Sequence, residues 1–405
     1  VYPLSVELIE FLLSVEAQVA LADLRGADLR DEALFARVAE LRRRFDPPQA
    51  AVLLDQALLR RKACGKFEQP DRLYFVDEAL EQATSRAVAV YRARSFGSFG
   101  RVADLGCGIG ADTLALAEVV PSVLAVELDP VRARLAELNI AASGLSGRVR
   151  VVCADWTTMA LGVEAAFVDP VRRSEGRRVF GLAEMSPSLA AIRALLTDVP
   201  NLGVKVAPGV DHAEVPSDAE IEFIAERGYL KEAFLRFGAL CRGAARVATV
   251  LPGPHQVRSD TPVGEAPVSE PLAYLYEPDP AVIRASLVTT LAAQIGAAQV
   301  DSTIAYLTSD RLASTPLARV WQVERHGHFN LKVLNSWLLA LGVGHVVIKK
   351  RGSPIDPDAF RRRLKLVRGG RPVTVFFTRA LGNPWMIVAA EIRSDRYRTR
   401  DEDHS

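Results

Sequence analysis

The stretch Val102-Ala-Asp-Leu-Gly-Cys-Gly-Ile-Gly-Ala-Asp-Thr113 decides how this chain is read. An apolar run ends at Asp104, three glycines follow at alternate positions (Gly106, Gly108, Gly110), and a helix-forming segment begins. Glycines in such a turn give the backbone access to positive φ and let a ligand come close to the main chain. The first turn of the following helix offers N–H groups with no helical partner to a polar ligand. A glycine-rich turn alone is shared by structural loops and dinucleotide sites, so its neighbours matter. Asp104 stands before the loop, where a carboxylate suits a positive amine rather than a pyrophosphate. Val126-Glu127 closes the next apolar run, 23 residues after Asp104, the place for an acceptor of ribose hydroxyls. Cys153-Ala-Asp-Trp156 closes the third, where a carboxylate and an aromatic face suit an adenine.

Outward from this stretch the chain alternates. Short apolar runs at Val102–Leu105, Val123–Glu127, Val149–Cys153, Ala165–Asp169 and Leu202–Ala207 are separated by helical patterns at Ala111–Val120, Val131–Ser143 and Ser188–Thr197. That rhythm predicts βαβ units, a parallel sheet and right-handed crossovers. Ile221–Glu226 and Arg246–Leu251 read as two more strands joined by Tyr229–Leu240. Residues 4–95 are helical in pattern, interrupted at Asp46-Pro47-Pro48. Pro252–Pro271, with five prolines, reads as a linker or extended loop. Beyond it, helices are predicted near Pro280–Ile295, Leu331–Leu341 and Asp358–Leu366. Strands are predicted at Ile304–Leu307, Val346–Lys350, Val373–Thr378 and Met386–Ile392. The domain boundaries expected are 1–97 (helical), 98–255 (α/β core), 256–272 (linker), 273–393 (second α/β domain) and 394–405 (polar tail).

An amine, a ribose and an adenine together describe S-adenosylmethionine, and these residues resemble the class I S-adenosylmethionine-dependent methyltransferases. The resemblance implies a Rossmann-like α/β core with that cofactor held by Asp104, Gly106, Cys107, Gly108, Gly110, Glu127, Leu128, Asp155 and Trp156. A purely structural loop or a nicotinamide site is the alternative. Glu81-Gln82 precedes the core, and Gln82 is the candidate to reach over the methionine end, with a helix-surface role as the alternative. Phe167-Val-Asp-Pro170 ends the fourth run. It resembles the Asp-Pro-Pro motif of amino- and base-methylating enzymes, which makes Asp169 and Pro170 catalytic candidates; Arg172 is added as a third because it could, with Arg173, grip a phosphate, a solvated face being the alternative. The aromatic residue that usually follows that motif is replaced by Val171, Arg172 and Arg173. Asp169 as a turn cap is the bland alternative. A covalent mechanism at a pyrimidine carbon would need a cysteine beside the acceptor, and no cysteine follows Asp169 closely.

Arg61–Phe67, Leu80–Ser85, Val168–Arg173, Lys205–His212, Tyr274–Arg284 and Ile348–Gly352 resemble one bacterial methyltransferase family, with a helical N-terminal region, a class I core and a C-terminal α/β THUMP-like domain. That resemblance points to RNA (tRNA or rRNA) by analogy. The whole chain carries a net charge of only +1, so a nucleic-acid partner needs a local patch. Between His345 and Ala380 ten Lys and Arg face two acidic residues. Within this segment Lys349, Lys350, Arg351, Arg361, Arg362 and Arg363 are the substrate-binding candidates, with a solvated face as the alternative. Arg60, Arg61, Lys62 and Lys66 could add a second basic edge. Phe376 and Phe377 read as core.

Ordinary globular composition, 49% hydrophobic and 24% charged, excludes wholesale disorder. Charges at Glu7, Glu10, Glu16, Asp23 and Arg25 interrupt the N-terminal apolar residues, so neither a signal peptide nor a membrane span is expected, and the cytoplasm is the expected compartment. Cys64, Cys107, Cys153 and Cys241 are too scattered for a disulfide framework or a zinc site and read as small buried hydrophobes. His326 and His328 would share a strand face but lack a third ligand nearby, so no metal is expected. Competing functions are a methyltransferase of small molecules or proteins, and a non-catalytic RNA-binding protein with a relict pocket. Composition and motifs leave the oligomeric state open.

Overall fold

Ser5, Ser14 and Asp46 each accept a hydrogen bond from the first turn of a following helix, a standard way to satisfy otherwise unpaired N–H groups. They start α1 (Val6–Leu12), α2 (Val15–Arg25) and, after α3 (Asp31–Leu41), α4 (Pro47–Lys62). At α4 the Gln49 N–H donates to Asp46 at 2.9 Å and the Gln49 side chain accepts from the Asp46 N–H. Asp46-Pro47-Pro48 therefore both closes one helix and opens the next. The computed structural model describes residues 3–170, 173–174, 177–178, 182, 185–262, 264 and 266–392. These fall into two compact units, one running to Ala219 with Phe234–Arg242 added, the other comprising Glu220–Ala233 and the residues from Gly243 on.

In the first unit, Ile9, Leu12, Leu21, Leu24 and Leu53 form a buried core with Phe75, Leu80, Ile109 and Leu135. Short helices α5 (Asp77–Gln82) and α6 (Arg86–Ala93) follow. Of the cations expected to form a basic edge here, Arg61 and Lys62 are exposed, Lys66 is half-buried and Arg60 is buried, and all four are engaged within this unit. Arg60 is buried, donates to the Leu73 carbonyl at 3.0 Å and lies over the Tyr74 ring. Arg61 donates to the Leu24 carbonyl at 3.1 Å, Lys62 pairs with Asp77 and Glu81, and Lys66 donates to the Leu80 carbonyl at 2.8 Å. Helix ends leave carbonyls unsatisfied, and these long basic chains satisfy them.

The α/β part of this unit runs β1 (Arg101–Leu105), α7 (Ala111–Val119), β2 (Ser122–Glu127), α8 (Pro130–Ala142), β3 (Val149–Cys153) and β4 (Ala165–Val168). Two-residue strands β5 (Arg173–Ser174) and β6 (Arg177–Arg178), helix α9 (Leu189–Ala194) and β7 (Asn201–Val206) follow. The parallel order is β7-β4-β1-β2-β3. Strand β1 is buried on both faces after Arg101, as a central parallel strand must be. Asn139 on α8 is fully buried; it accepts from the Tyr74 N–H at 2.7 Å and donates to the Tyr74 and Ile109 carbonyls at 3.0 and 2.9 Å. One side chain thus pins the end of the helical region to the glycine turn.

The second unit contains β8 (Glu220–Glu226) and the first five residues of β9 (Tyr229–Arg236), whose last three lie in the first unit beside β7. The stretch expected only to join two strands is thus itself a strand. Parallel to β8 lies β10 (Arg246–Leu251), and antiparallel to β10 lies β11 (His255–Arg258), inside the stretch expected to be an extended loop. A seven-stranded sheet has the order β13-β14-β12-β15-β18-β17-β16. Its strands are β12 (Tyr274–Pro278), β13 (Ala298–Asp301), β14 (Ile304–Ser309), β15 (Ala318–His328), β16 (Val343–Lys350), β17 (Arg371–Ala380) and β18 (Asn383–Glu391).

The helical run predicted over Pro280–Ile295 is two helices, α10 (Pro280–Arg284) and α11 (Val288–Gln294), broken where Ser286 takes φ +56°. Helix α12 (Leu331–Ala340) lies near its predicted bounds, whereas α13 (Pro357–Arg361) is shorter than predicted. Phe376 and Phe377, buried in opposite directions, fill two separate cores, one with Trp321 and Ile387, the other with Leu334, Phe360 and Met386. His326 and His328 do share a face, and Trp385 fills it, 6.2 and 4.3 Å from the two rings. Among the described residues no helix is long and apolar enough to cross a membrane.

Candidate functional site

At the end of β1, Asp104 is completely buried. Its Oδ2 accepts a short hydrogen bond from the Thr113 hydroxyl in the first turn of α7. Its Oδ1 has no hydrogen-bond partner among the described residues. Burial, reinforced by repulsion from Asp112, pushes this carboxyl up to about 8. The three glycines that follow have φ of +82°, +56° and +90°, each for its own reason. A Cβ on Gly106 would stand 3.0 Å from the Asp169 carbonyl oxygen, one on Gly110 would touch Ala136, and one on Gly108 would enter open space. The turn therefore faces an open region at Gly108 and abuts the end of β4 at Gly106.

Glu127, at the end of β2, accepts from the Gly108 N–H at 2.8 Å and from the Asp129 N–H at 3.0 Å. One carboxylate oxygen ties it to the turn and the other to the start of α8. Leu128 beside it is 68% exposed. Asp155, after β3, caps the turn Trp156–Thr158 by accepting from the Thr157 N–H and hydroxyl at 2.9 and 2.6 Å, which holds its carboxyl below the usual range. Trp156 is buried. Cys107 is also buried, and burial pushes its thiol well up. Cys64 and Cys153, by contrast, are exposed, which corrects the expectation of buried cysteines: β3 is the edge of the sheet. Gln82 is exposed and donates to Glu78 at 3.3 Å. Two residues on, Thr84 is buried and enters the cluster instead.

That cluster lies at the end of β4. Asp169 Oδ2 is 2.7 Å from the Lys205 ammonium on β7, and the same ammonium donates to the Thr84 hydroxyl at 3.0 Å. Thr84 donates to Asp112 at 3.0 Å, and Asp112 pairs with the buried Arg92, whose guanidinium lies 4.2 Å from the centre of the Phe167 ring. Five polar side chains from four separate stretches thus form one chain of contacts ending on Asp169. Pro170, the next residue, is buried. Arg172 lies outside the described residues. Lys205, Thr84, Asp112 and Arg92 were given no role from sequence. Lys205 stands in a motif that the family resemblance had marked, which was the available signal.

The basic segment divides. Alternation along β16 turns Lys349 and Arg351 to one side, where both meet Glu277, and Lys350 to the other, where it is exposed. Arg361, Arg362 and Arg363 are exposed around the end of α13, Arg361 donating to the Val346 carbonyl. Arg371 is engaged with Glu324 at 2.7 Å.

Over 355 residues the chain is 39% identical to an uncharacterized S-adenosylmethionine-dependent methyltransferase of Mycobacterium tuberculosis (strain ATCC 25618 / H37Rv), an alignment covering 84% of this chain and 95% of the relative. The chain belongs to the S-adenosylmethionine-dependent methyltransferases. This methyltransferase is an enzyme with S-adenosylmethionine as its cofactor. Its residues 99–181 match the family model of RNA cap guanine-N2 methyltransferase, 318–391 that of a THUMP domain-like module, and 5–63 a domain of unknown function. A 79-residue stretch is 44% identical to ribosomal RNA small subunit methyltransferase A of Nocardia farcinica, covering 19% of this chain and 26% of that protein. A crystal structure described as a methyltransferase of Porphyromonas gingivalis W83 superimposes with a TM-score of 0.76 at 20% identity, covering 94% of this chain and all of the other. The fold is therefore the expected one, a Rossmann-like methyltransferase core with a C-terminal THUMP-like domain. Among the described residues no group of three or more His, Cys, Asp or Glu could hold a metal ion.

Proposed function

We propose that this methyltransferase modifies a nitrogen of a base in RNA, tRNA or rRNA, in the cytoplasm. Asp169 carries the proposal: a carboxylate at the carboxyl end of a central strand, against the glycine turn, with a buried lysine holding one of its oxygens. The match of residues 99–181 to an RNA methyltransferase model, the THUMP-like match and the basic segment support RNA as the substrate class.

The residues fit the cofactor. The buried Asp104 Oδ1, without a hydrogen-bond partner among the described residues, suits an ammonium, and the open space over Gly108 leaves the main chain accessible. Glu127 would take the ribose hydroxyls, and Asp155 with Trp156 and Leu128 the adenine. When bound, S-adenosylmethionine supplies a methyl group made electrophilic by its sulfonium. Asp169 accepts an N–H of the target base and orients the nitrogen lone pair. The Lys205 ammonium holds Asp169 Oδ2 in place, and the proton released from nitrogen after transfer passes by way of the Asp169 carboxylate to water.

Mass spectrometry of nucleosides from the RNA of cells with and without the protein tests this. Loss of one methylated base in the deleted strain is the expected result. An unchanged nucleoside profile, with cofactor binding intact, would leave a small molecule or a protein as the substrate.

A further inference from the structure

Within the second unit the seven-stranded sheet curls until the end of edge strand β16 reaches β12. Lys349 pairs there with Glu277, and Arg351 lies 3.9 Å from the same carboxylate. Together with Arg284 on α10 and Arg319 on β15 they wall a cleft of about 450 Å³. That volume is within the range of small-molecule sites, about 300–1,000 Å³. Four cationic side chains from three elements share it with two carboxylates that already have work. Glu277 orders Lys349 and Arg351, and Asp279 caps α10 by accepting from the Ala281 N–H at 3.0 Å. Arg319 is exposed and has no ion-pair partner among the described residues. Ile283 and the prolines on either side of Asp279 add an apolar wall.

From this juxtaposition we infer that the cleft binds a phosphate-bearing nucleotide: cations for the phosphate, the apolar wall for the sugar or base. The source argued for is one nucleotide of a single-stranded RNA, an assignment that rests on the proposed RNA substrate and deepens it. Lys349 and Arg351 then serve a pocket, while Lys350 and Arg361–Arg363 face open solvent.

The full-length protein is tested with three probes: a single-stranded RNA decamer by fluorescence anisotropy across salt concentrations, and adenosine 5′-monophosphate and adenosine by equilibrium dialysis. Arg319→Gln is the surface variant, and Glu277→Gln with Lys349→Gln removes the Lys349–Glu277 pair, leaving Arg351 its hydrogen bond to the Ala305 carbonyl. Melting temperature and S-adenosylhomocysteine binding confirm that each variant is folded. The inference expects the decamer to bind, the monophosphate but not adenosine to compete, and Arg319→Gln to flatten the log–log salt slope by about 0.7, the share of one phosphate contact on a single strand. The double variant should bind the decamer several-fold more weakly. If the decamer binds but ignores both the monophosphate and the substitutions, the pocket is overturned and the RNA substrate stands. If the monophosphate binds in an Arg319-dependent way and the decamer does not, the nucleotide site stands with a free nucleotide as occupant, and the RNA substrate falls. Binding of none of the probes overturns both.

Discussion

The Lys205 ammonium is 2.7 Å from Asp169 Oδ2, with the lysine side chain almost wholly buried and the aspartate side chain 26% exposed. A charge removed from water this far is tolerated because it is paired and hydrogen-bonded, here also by Thr84. The pair ties the Asp169 carboxylate to Lys205 on β7, so its position is set by β7 as much as by β4.

Breaking the pair from the lysine side is expected to be costly. Lys205→Met should lower stability by about 3–5 kcal/mol, the usual penalty for stranding one partner of a buried pair, read from urea unfolding. The double variant Lys205→Met with Asp169→Asn should recover much of that loss and none of the methyl transfer. A lysine variant as stable and active as the wild type would show that the pair has neither role.

Asp169→Ala removes the carboxylate at the acceptor and also takes it away from the buried Lys205 ammonium. Methyl transfer should fall by about 10²-fold, in keeping with positioning and polar contacts at a reacting group, while cofactor affinity stays within a few fold. Calorimetry with S-adenosylhomocysteine beside a transfer assay separates the two, and equal losses in both would assign Asp169 to the pocket instead.

Asp104 makes a pH prediction. Its carboxyl titrates at about 8 in the folded protein, against an ordinary 3.8, because it is buried. Folding therefore takes up a proton between those values, so the stability from this group is full below about 3.8 and is lost as pH rises through about 8. Asp104→Asn, which cannot ionise, should gain stability over wild type as pH climbs toward 8 in thermal melts. An ammonium beside Asp104 favours the charged form, so S-adenosylhomocysteine should bind more tightly as pH approaches 8 and release a proton, measured by calorimetry in buffers of different ionisation heat. Affinity independent of pH, with the Asn variant binding equally well, would separate Asp104 from the amine.

The glycines differ in what they tolerate. Gly106→Ala forces a Cβ to 3.0 Å from the Asp169 carbonyl at φ +82°, where an L-residue pays about 1–2 kcal/mol in backbone strain alone. Both cofactor binding and transfer should suffer. Gly108→Val meets no protein atom near its Cβ but carries the same backbone strain of about 1–2 kcal/mol at φ +56°, so it should lose some stability and, by filling the open region, cofactor affinity as well. Unchanged affinity in Gly108→Val would place the cofactor elsewhere.

Arg361, Arg362 and Arg363 changed together to Ala should flatten the salt dependence of single-stranded RNA binding by up to about two units, at about 0.7 for each phosphate contact. S-adenosylhomocysteine affinity, measured alongside, should not move. An unchanged slope would make this exposed edge a solvated face.

The central strands were legible because β1, β2 and β4 are short, buried on both faces and separated by helices of fixed period. A turn that needs three positive φ values in five residues can hardly be built without glycine. Sequence patterning failed where burial is one-sided or a partner is remote. Strand β15 spans eleven residues, yet its burial alternates irregularly past Trp321, so no period marks it. Strand β11 sits among prolines and owes its conformation to pairing with β10.

The site divides in the same way. Asp104, the glycines, Glu127 and Asp169 were set by the sequence itself, because each lies at the end of an apolar run, where a parallel sheet gathers its chemistry at one edge. Only the tertiary structure brought Lys205, Thr84, Asp112 and Arg92 to Asp169, from positions up to 121 residues apart in the chain. It also divided Lys349 and Arg351 from Lys350. A strand's alternation is visible in sequence, but which side is the pocket is fixed by the partner that folds against it, and Glu277 lies 72 residues before Lys349.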